Sequence, residues 1–169
     1  MAITRRQLLR WTTVLGTATT LVGGVHLYSW WDTPPESPFV NLNTLEASIV
    51  RVIGGAAFPS GETINLDGYS ANLDRFFDTL LSSMTTENRL LLKLLLEAIE
   101  RATIPTHGSF FTSLSAPEQQ ACIETWLQSS NALFRGAIQS LVVLLGMGYT
   151  AHPTASTHLE RYFRCGFGV

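Results

Sequence analysis

Ser70-Ala-Asn-Leu-Asp-Arg-Phe-Phe-Asp-Thr-Leu-Leu-Ser-Ser-Met84 decides the fold class. Leu73, Phe76, Phe77, Leu80, Leu81 and Met84 recur at three- and four-residue intervals, the spacing that lines one face of an α-helix. Asp74, Arg75, Asp78 and Ser82 fall on the other side, where solvation is the expected state of the two carboxylates.

The same period extends in both directions. Upstream, Asn43 or Thr44 can cap a helix whose apolar face is Leu45, Ile49, Val52, Ile53 and Ala57, ending at Phe58-Pro59. A loop with Gly61, Asn65 and Gly68 then leads into the amphipathic stretch. Downstream, residues 86–103 place Leu90, Leu91, Leu92, Leu94, Leu95, Leu96 and Ile99 around most of a helix circumference. Arg89, Lys93, Glu97, Glu100 and Arg101 leave only a narrow polar stripe there, which predicts the central helix of a bundle. Lys93–Glu97 and Glu97–Arg101 stand at i,i+4 spacing for ion pairs. Ser115-Ala-Pro-Glu118 has the form of a capping box with proline in the first turn and starts a fourth helix. Its predicted buried face is Cys122, Ile123, Trp126 and Leu127. A fifth helix from Asn131 to about Tyr149 carries Leu133, Phe134, Ile138, Leu141 and Leu145, and turns apolar on every side beyond Ser140. Arg135 and Gln139 interrupt that run, against a membrane span. Alternating β pattern is absent. The expected architecture is all-α: a small bundle of four to five helices with a loop-rich C-terminal tail, preceded by an N-terminal signal helix.

The start of the chain reads differently. Arg5, Arg6 and Arg10 precede an uncharged, mostly apolar run from Trp11 to Leu27, and no acid occurs before Asp32. A short basic start followed by such a run has the layout of a secretory signal. Arg5-Arg6 followed by Leu8-Leu9 resembles the twin-arginine export motif. Residues 1–31 are therefore read as a twin-arginine signal or anchor, residues 32–42 as a proline-rich linker, and residues 43–169 as the helical domain. Twin-arginine export moves proteins already folded, so the expected location is periplasmic. Tyr28, Trp30 and Trp31 suit a membrane interface, which leaves membrane association through an uncleaved leader open beside cleavage.

Composition narrows the function. The chain is 46% hydrophobic and only 14% charged, against a usual charged share near a quarter. Beyond residue 31, eight basic side chains face thirteen acidic ones, a net charge of −5 that argues against nucleic acid. His26, His107, His152 and His158 form neither an i,i+4 histidine pair nor a Glu-x-x-His unit. No G-x-S-x-G elbow, Walker sequence or G-x-G-x-x-G occurs. Cys122 and Cys165 show no paired spacing; in an oxidising compartment Cys165 pairs with Cys122, bridges to a partner, or stays an incidental thiol. No catalytic, cofactor or metal residue is assigned.

Three short segments carry a family resemblance. Val52-Ile-Gly-Gly-Ala-Ala-Phe-Pro59, Leu114-Ser-Ala-Pro-Glu118 and Gly146-Met-Gly-Tyr-Thr-Ala-His-Pro153 resemble, in that order, the gluconate 2-dehydrogenase subunit 3 family, with Ala151 as an insertion-like departure. The resemblance spans roughly residues 40–155. It implies a non-catalytic small subunit of a flavin-dependent dehydrogenase of the glucose-methanol-choline type. FAD would sit in a large subunit without its own signal, escorted across the membrane by this chain through the twin-arginine translocase. A cytochrome c subunit often takes the electrons in such complexes. Partner contact is expected at Val142, Val143, Met147, Tyr149, His152 and Pro153, and in the tail at Tyr162, Phe163 and Cys165. A membrane-tethered periplasmic binding or structural protein without a dehydrogenase partner is the other reading.

Overall fold

The computed structural model describes residues 34–160, and every regular element among them is helical. The export-signal residues Arg5, Arg6, Leu8 and Leu9 and the tail residues Tyr162, Phe163 and Cys165 lie outside the described residues. The elements are α1 (Thr44–Ala57), α2 (Leu73–Ser82), α3 (Thr86–Ala102), a single-turn α4 (Ile104–His107), a 3₁₀ turn (Phe111–Ser113), α5 (Ala116–Leu127), α6 (Ala132–Ala151) and α7 (Pro153–Leu159). The five longer helices match the predicted bundle. One expectation changes: the predicted loop-rich tail begins as α7, because Pro153 opens a helix at its first turn and His152 Nδ1 accepts the Thr154 amide at 3.3 Å; His107 closes the short α4.

The centre of the bundle is α1, not the leucine-rich α3. Helix α1 packs against α2, α3, α5, α6 and the 3₁₀ turn, and Ile49, Val50 and Ile53 on it are fully buried. Each such side chain contributes roughly 1.5–3 kcal/mol. Small residues let other segments come close: a Cβ on Gly68 would stand 2.0 Å from the Gly54 carbonyl oxygen. Helix α3 lies at the edge, covered on one side by α1 and the 3₁₀ turn. A helix with leucine around most of its surface, packed on one side, leaves some of it in water; Leu91 is 63% exposed.

The two carboxylates in the polar stripe of α3 face inward. Glu97 and Glu100 are buried, Glu97 against Arg101 and Glu100 accepting the Thr112 amide (3.1 Å) and hydroxyl (2.6 Å). Lys93 pairs with Glu46 of α1 at 3.0 Å rather than with Glu97. The same Glu46 closes the α1 capping box with Asn43. One carboxylate thus caps α1 and neutralises the chain's single lysine.

Asp74 and Asp78 are also buried, contrary to the expected solvated face. Asp74 meets Arg51 of α1 at 2.5 Å. Asp78 accepts the backbone N–H groups of Val40 (3.0 Å), Asn41 (2.7 Å) and Leu42 (2.9 Å). The second half of the predicted linker is therefore part of the domain, with Asn41, Leu42 and Asn43 buried. Helical periodicity marks a face as polar, but a polar face is buried wherever another segment brings it donors.

Candidate docking surface

Helix α6 carries four of the predicted contact residues, Val142, Val143, Met147 and Tyr149. Asn131 caps it, its side-chain oxygen accepting the amides of Leu133 (3.1 Å) and Phe134 (3.2 Å). Ile138, Leu141, Leu145 and Gly148 form the inward stripe. Gly148 is required there, since a Cβ would meet the Phe76 ring at 2.5 Å. Outward, Val143 is 64% and Met147 56% exposed. Those two sit one turn apart on a single face.

Beside this face runs an apolar groove of about 280 Å³ lined by Met84, Asn88, Leu91, Leu92 and Leu144. Leu144 neighbours Met147 at i,i+3, so groove and ridge adjoin. Leu91 and the groove escape sequence reasoning, because a leucine on a greasy helix reads as core. Leu133, expected on the apolar face, is exposed in the first turn of α6, while its neighbour Phe134 packs edge-on to Trp126.

The remaining predicted contact residues divide. Val142 is half-buried and packs against the core. Tyr149 is engaged internally: its ring stacks on Phe58 with centroids 4.9 Å apart, and its hydroxyl donates to the Leu66 carbonyl at 2.8 Å. Burial first, and the charge of Asp67 second, push its phenol above the usual range. His152 is half-buried at the start of α7, and Pro153 is exposed in its first turn. Among the described residues of the set, Val143 and Met147 are thus the two that present large apolar side chains to water.

The three segments that carry the family resemblance converge around the loop between α1 and α2. Phe58 of the first meets Tyr149 of the third, and a Cβ on Gly146 would touch the Phe58 ring at 3.5 Å. Gly68 donates its amide to the Phe58 carbonyl at 2.8 Å. The Tyr69 ring lies against Gly55, where a Cβ would stand 1.9 Å from it, and its hydroxyl donates to Gln119 Oε1 at 3.1 Å, one residue after the second segment. Gln119 in turn donates to the carbonyls of Leu114 (2.8 Å) and Phe111 (3.3 Å). These short motifs hold a loop in place, and their physical role is architectural.

A second cleft of about 230 Å³ lies between α4 and α5, lined by Ala102, Thr106, His107, Ala121, Cys122, Thr125 and Trp126. It brings a thiol and an imidazole to one lining. Burial, and then the charge of Glu118, push the Cys122 thiol up, so it stays protonated and a weak nucleophile at neutral pH. His107 Nδ1 lies 2.8 Å from the Thr106 hydroxyl oxygen. Thr106 and Thr125 donate to carbonyls of their own helical turns. Among the described residues no three His, Cys, Asp or Glu side chains are grouped so that they could hold a metal ion. Compared with family models, with curated proteins and with solved structures, the chain matches none.

Proposed function

We propose that this chain is the non-catalytic small subunit of an exported flavin-dependent dehydrogenase of the glucose-methanol-choline type. It carries the twin-arginine leader and docks the FAD-bearing large subunit through the outer face of α6 and the adjoining groove. The observation that carries this reading is the ridge of Val143 and Met147 beside Leu91, each more than half exposed. Free soluble proteins seldom leave adjoining apolar side chains uncovered, and such patches mark interaction sites. The class of partner comes from the resemblance of the three segments, and the export route from Arg5, Arg6, Leu8 and Leu9. A cytochrome c subunit accepting electrons from the flavin completes the proposed complex.

One observation favours a membrane surface as a competing occupant. Helix α6 is long and apolar enough to cross a bilayer by length and composition, and only 22% of its most apolar window is buried. The inward stripe of Ile138, Leu141 and Leu145, packed into the bundle, favours a helix that lies on its own domain.

The test is a pull-down of the tagged full chain expressed in its native cells, read by flavin absorbance. Flavin absorbance should co-purify with the tag and disappear when Val143→Asp and Met147→Asp are combined, while the helical circular dichroism stays unchanged. A chain that purifies alone as a monomer, binds no hydrophobic dye and recovers no flavin would overturn the reading.

A further inference from the structure

Helix α6 carries a second pattern beside its inward stripe. Leu133, Gly136, Ser140, Val143, Met147 and Thr150 follow one another at alternating steps of three and four residues. That spacing lines a single face, across the helix from Ile138, Leu141 and Leu145. Leu133 is 88% exposed, and Val143 and Met147 are exposed with it. Ser140 and Thr150 are exposed too, and a Cβ on Gly136 would meet nothing within 4 Å. Leu133, Val143 and Met147 therefore project, while Gly136, Ser140 and Thr150 leave room between them.

Three properties suit this face to a dry contact with its own copy. It holds no charge: Arg135 is the only charged residue from Ala132 to Ala151, and its guanidinium turns back to donate to the Ser129 carbonyl. No hydroxyl would be stranded by covering it, because Ser140 donates to the Gly136 carbonyl at 2.8 Å and Thr150 to the Met147 carbonyl at 3.1 Å. Finally, its order of sizes is self-complementary. Laid antiparallel on a second α6 so that Ser140 meets Val143, the helix sets Gly136 against Met147 and Leu133 against Thr150. Small faces large at every level, and the two-fold axis repeats the same three pairs on its other side. A parallel alignment would instead set Gly136 on Gly136 and Met147 on Met147 and lose the match.

We propose that the outer face of α6 pairs antiparallel with the same face of a second copy of this chain. The pairing belongs to the chain without a large subunit and goes beyond the partner reading. Both contacts use Val143 and Met147, so on that reading the large subunit replaces the second copy. One helix pair is at the small end of specific interfaces, so dimer and monomer exchange and the face stays open to a competitor.

The test is sedimentation of the purified full chain across roughly 1–100 μM. It compares the wild type, Gly136→Met, and Gly136→Met combined with Met147→Gly. Gly136→Met fills open space on the monomer and removes a helix-weakening glycine, so the helical circular dichroism should hold. It also sets methionine against methionine and should weaken the dimer at least about tenfold. The combined variant exchanges the two members of the facing pair and should recover most of that loss. Orientation is read by cross-linking in a Cys165→Ser background, where the remaining Cys122 is buried. Ser140→Cys should join to its own copy through a short thiol-reactive linker, since antiparallel pairing offsets the two by about 4.5 Å along the axis. Thr150→Cys, offset by about 25 Å, should not. A wild type that stays monomeric overturns the pairing. So does a dimer indifferent to Gly136→Met, or one in which Thr150→Cys joins as well as Ser140→Cys. Capture by phosphatidylcholine vesicles with no dimer in solution assigns the face to a membrane and likewise overturns it. The partner reading fails separately: a dimer that recovers no flavin from cells removes that reading alone, and a monomer that recovers flavin removes the pairing alone.

Discussion

The α1–α2 side of the bundle and the α3–α6 edge invert the usual arrangement in opposite ways. On the first, Glu46, Asp74 and Asp78 are buried and every one is answered, by Lys93, Arg51 or a row of amides. On the second, Leu91, Val143 and Met147 stand in water with nothing of the described chain over them. Buried charge survives where the fold supplies partners, whereas exposed leucine and methionine cost the fold no broken hydrogen bond and so are tolerated. One region is self-sufficient, and the other is a surface with room for a neighbour.

The contrast breaks most readily at Asp78. Asp78→Ala strands the buried amides of Asn41 and Leu42, and the expected loss is about 3 kcal/mol in a urea melt, at the upper end for an unpaired buried group. A loss under about 1 kcal/mol would mean the connector is not part of the cooperative unit. Next in size is Gly68→Ala, whose added carbon would sit 2.0 Å from the Gly54 carbonyl oxygen. Overpacking of backbone against backbone should lower stability by about 2 kcal/mol, measured in the same melt. The α3–α6 edge should behave in the opposite sense. Combined Val143→Asp and Met147→Asp should shift stability by no more than about 0.5 kcal/mol per site, the range of ordinary surface changes, while reducing dye binding and the tendency to aggregate. A large destabilisation there would show that the ridge is core and would end the contrast.

The smallest effect concerns an exposed carboxylate. Glu118 is held below its ordinary value of 4.5, chiefly by the Ser115 hydroxyl and then by the Ser115 amide. A depressed carboxylate stabilises the fold above its unfolded value, and that contribution fades as pH falls through the depressed one. Ser115→Ala should therefore raise the Glu118 titration midpoint in an NMR titration and move the acid end of the stability profile of α5 upward in pH. An unchanged midpoint would show that the capping box is not formed in solution.

Much of the bundle was legible because helices announce themselves locally. The Leu73-to-Met84 stripe, the box at Ser115–Glu118 and the cap at Asn43 are spacings within four residues, and each appears in the fold. The contact surface was legible in part. Val143 and Met147 face outward, but Tyr149 is spent on Phe58 and Leu66, and nothing in its local sequence says so. Leu91 was misleading for the same reason, since periodicity identifies a helix's apolar arc and not which part of that arc a neighbour covers.

What the sequence determined alone is the all-helical class, the approximate bounds of the five longer helices, and the change in character between the basic, apolar start and the acidic body, because these depend on residues within a turn or two of each other. Only the tertiary structure decided that α1 is central, that Lys93 answers Glu46, and that Asp78 holds the connector. Those outcomes depend on which distant donor meets which acceptor. That pairing is set by how whole helices pack, through contacts between residues tens of positions apart, and no local pattern encodes it.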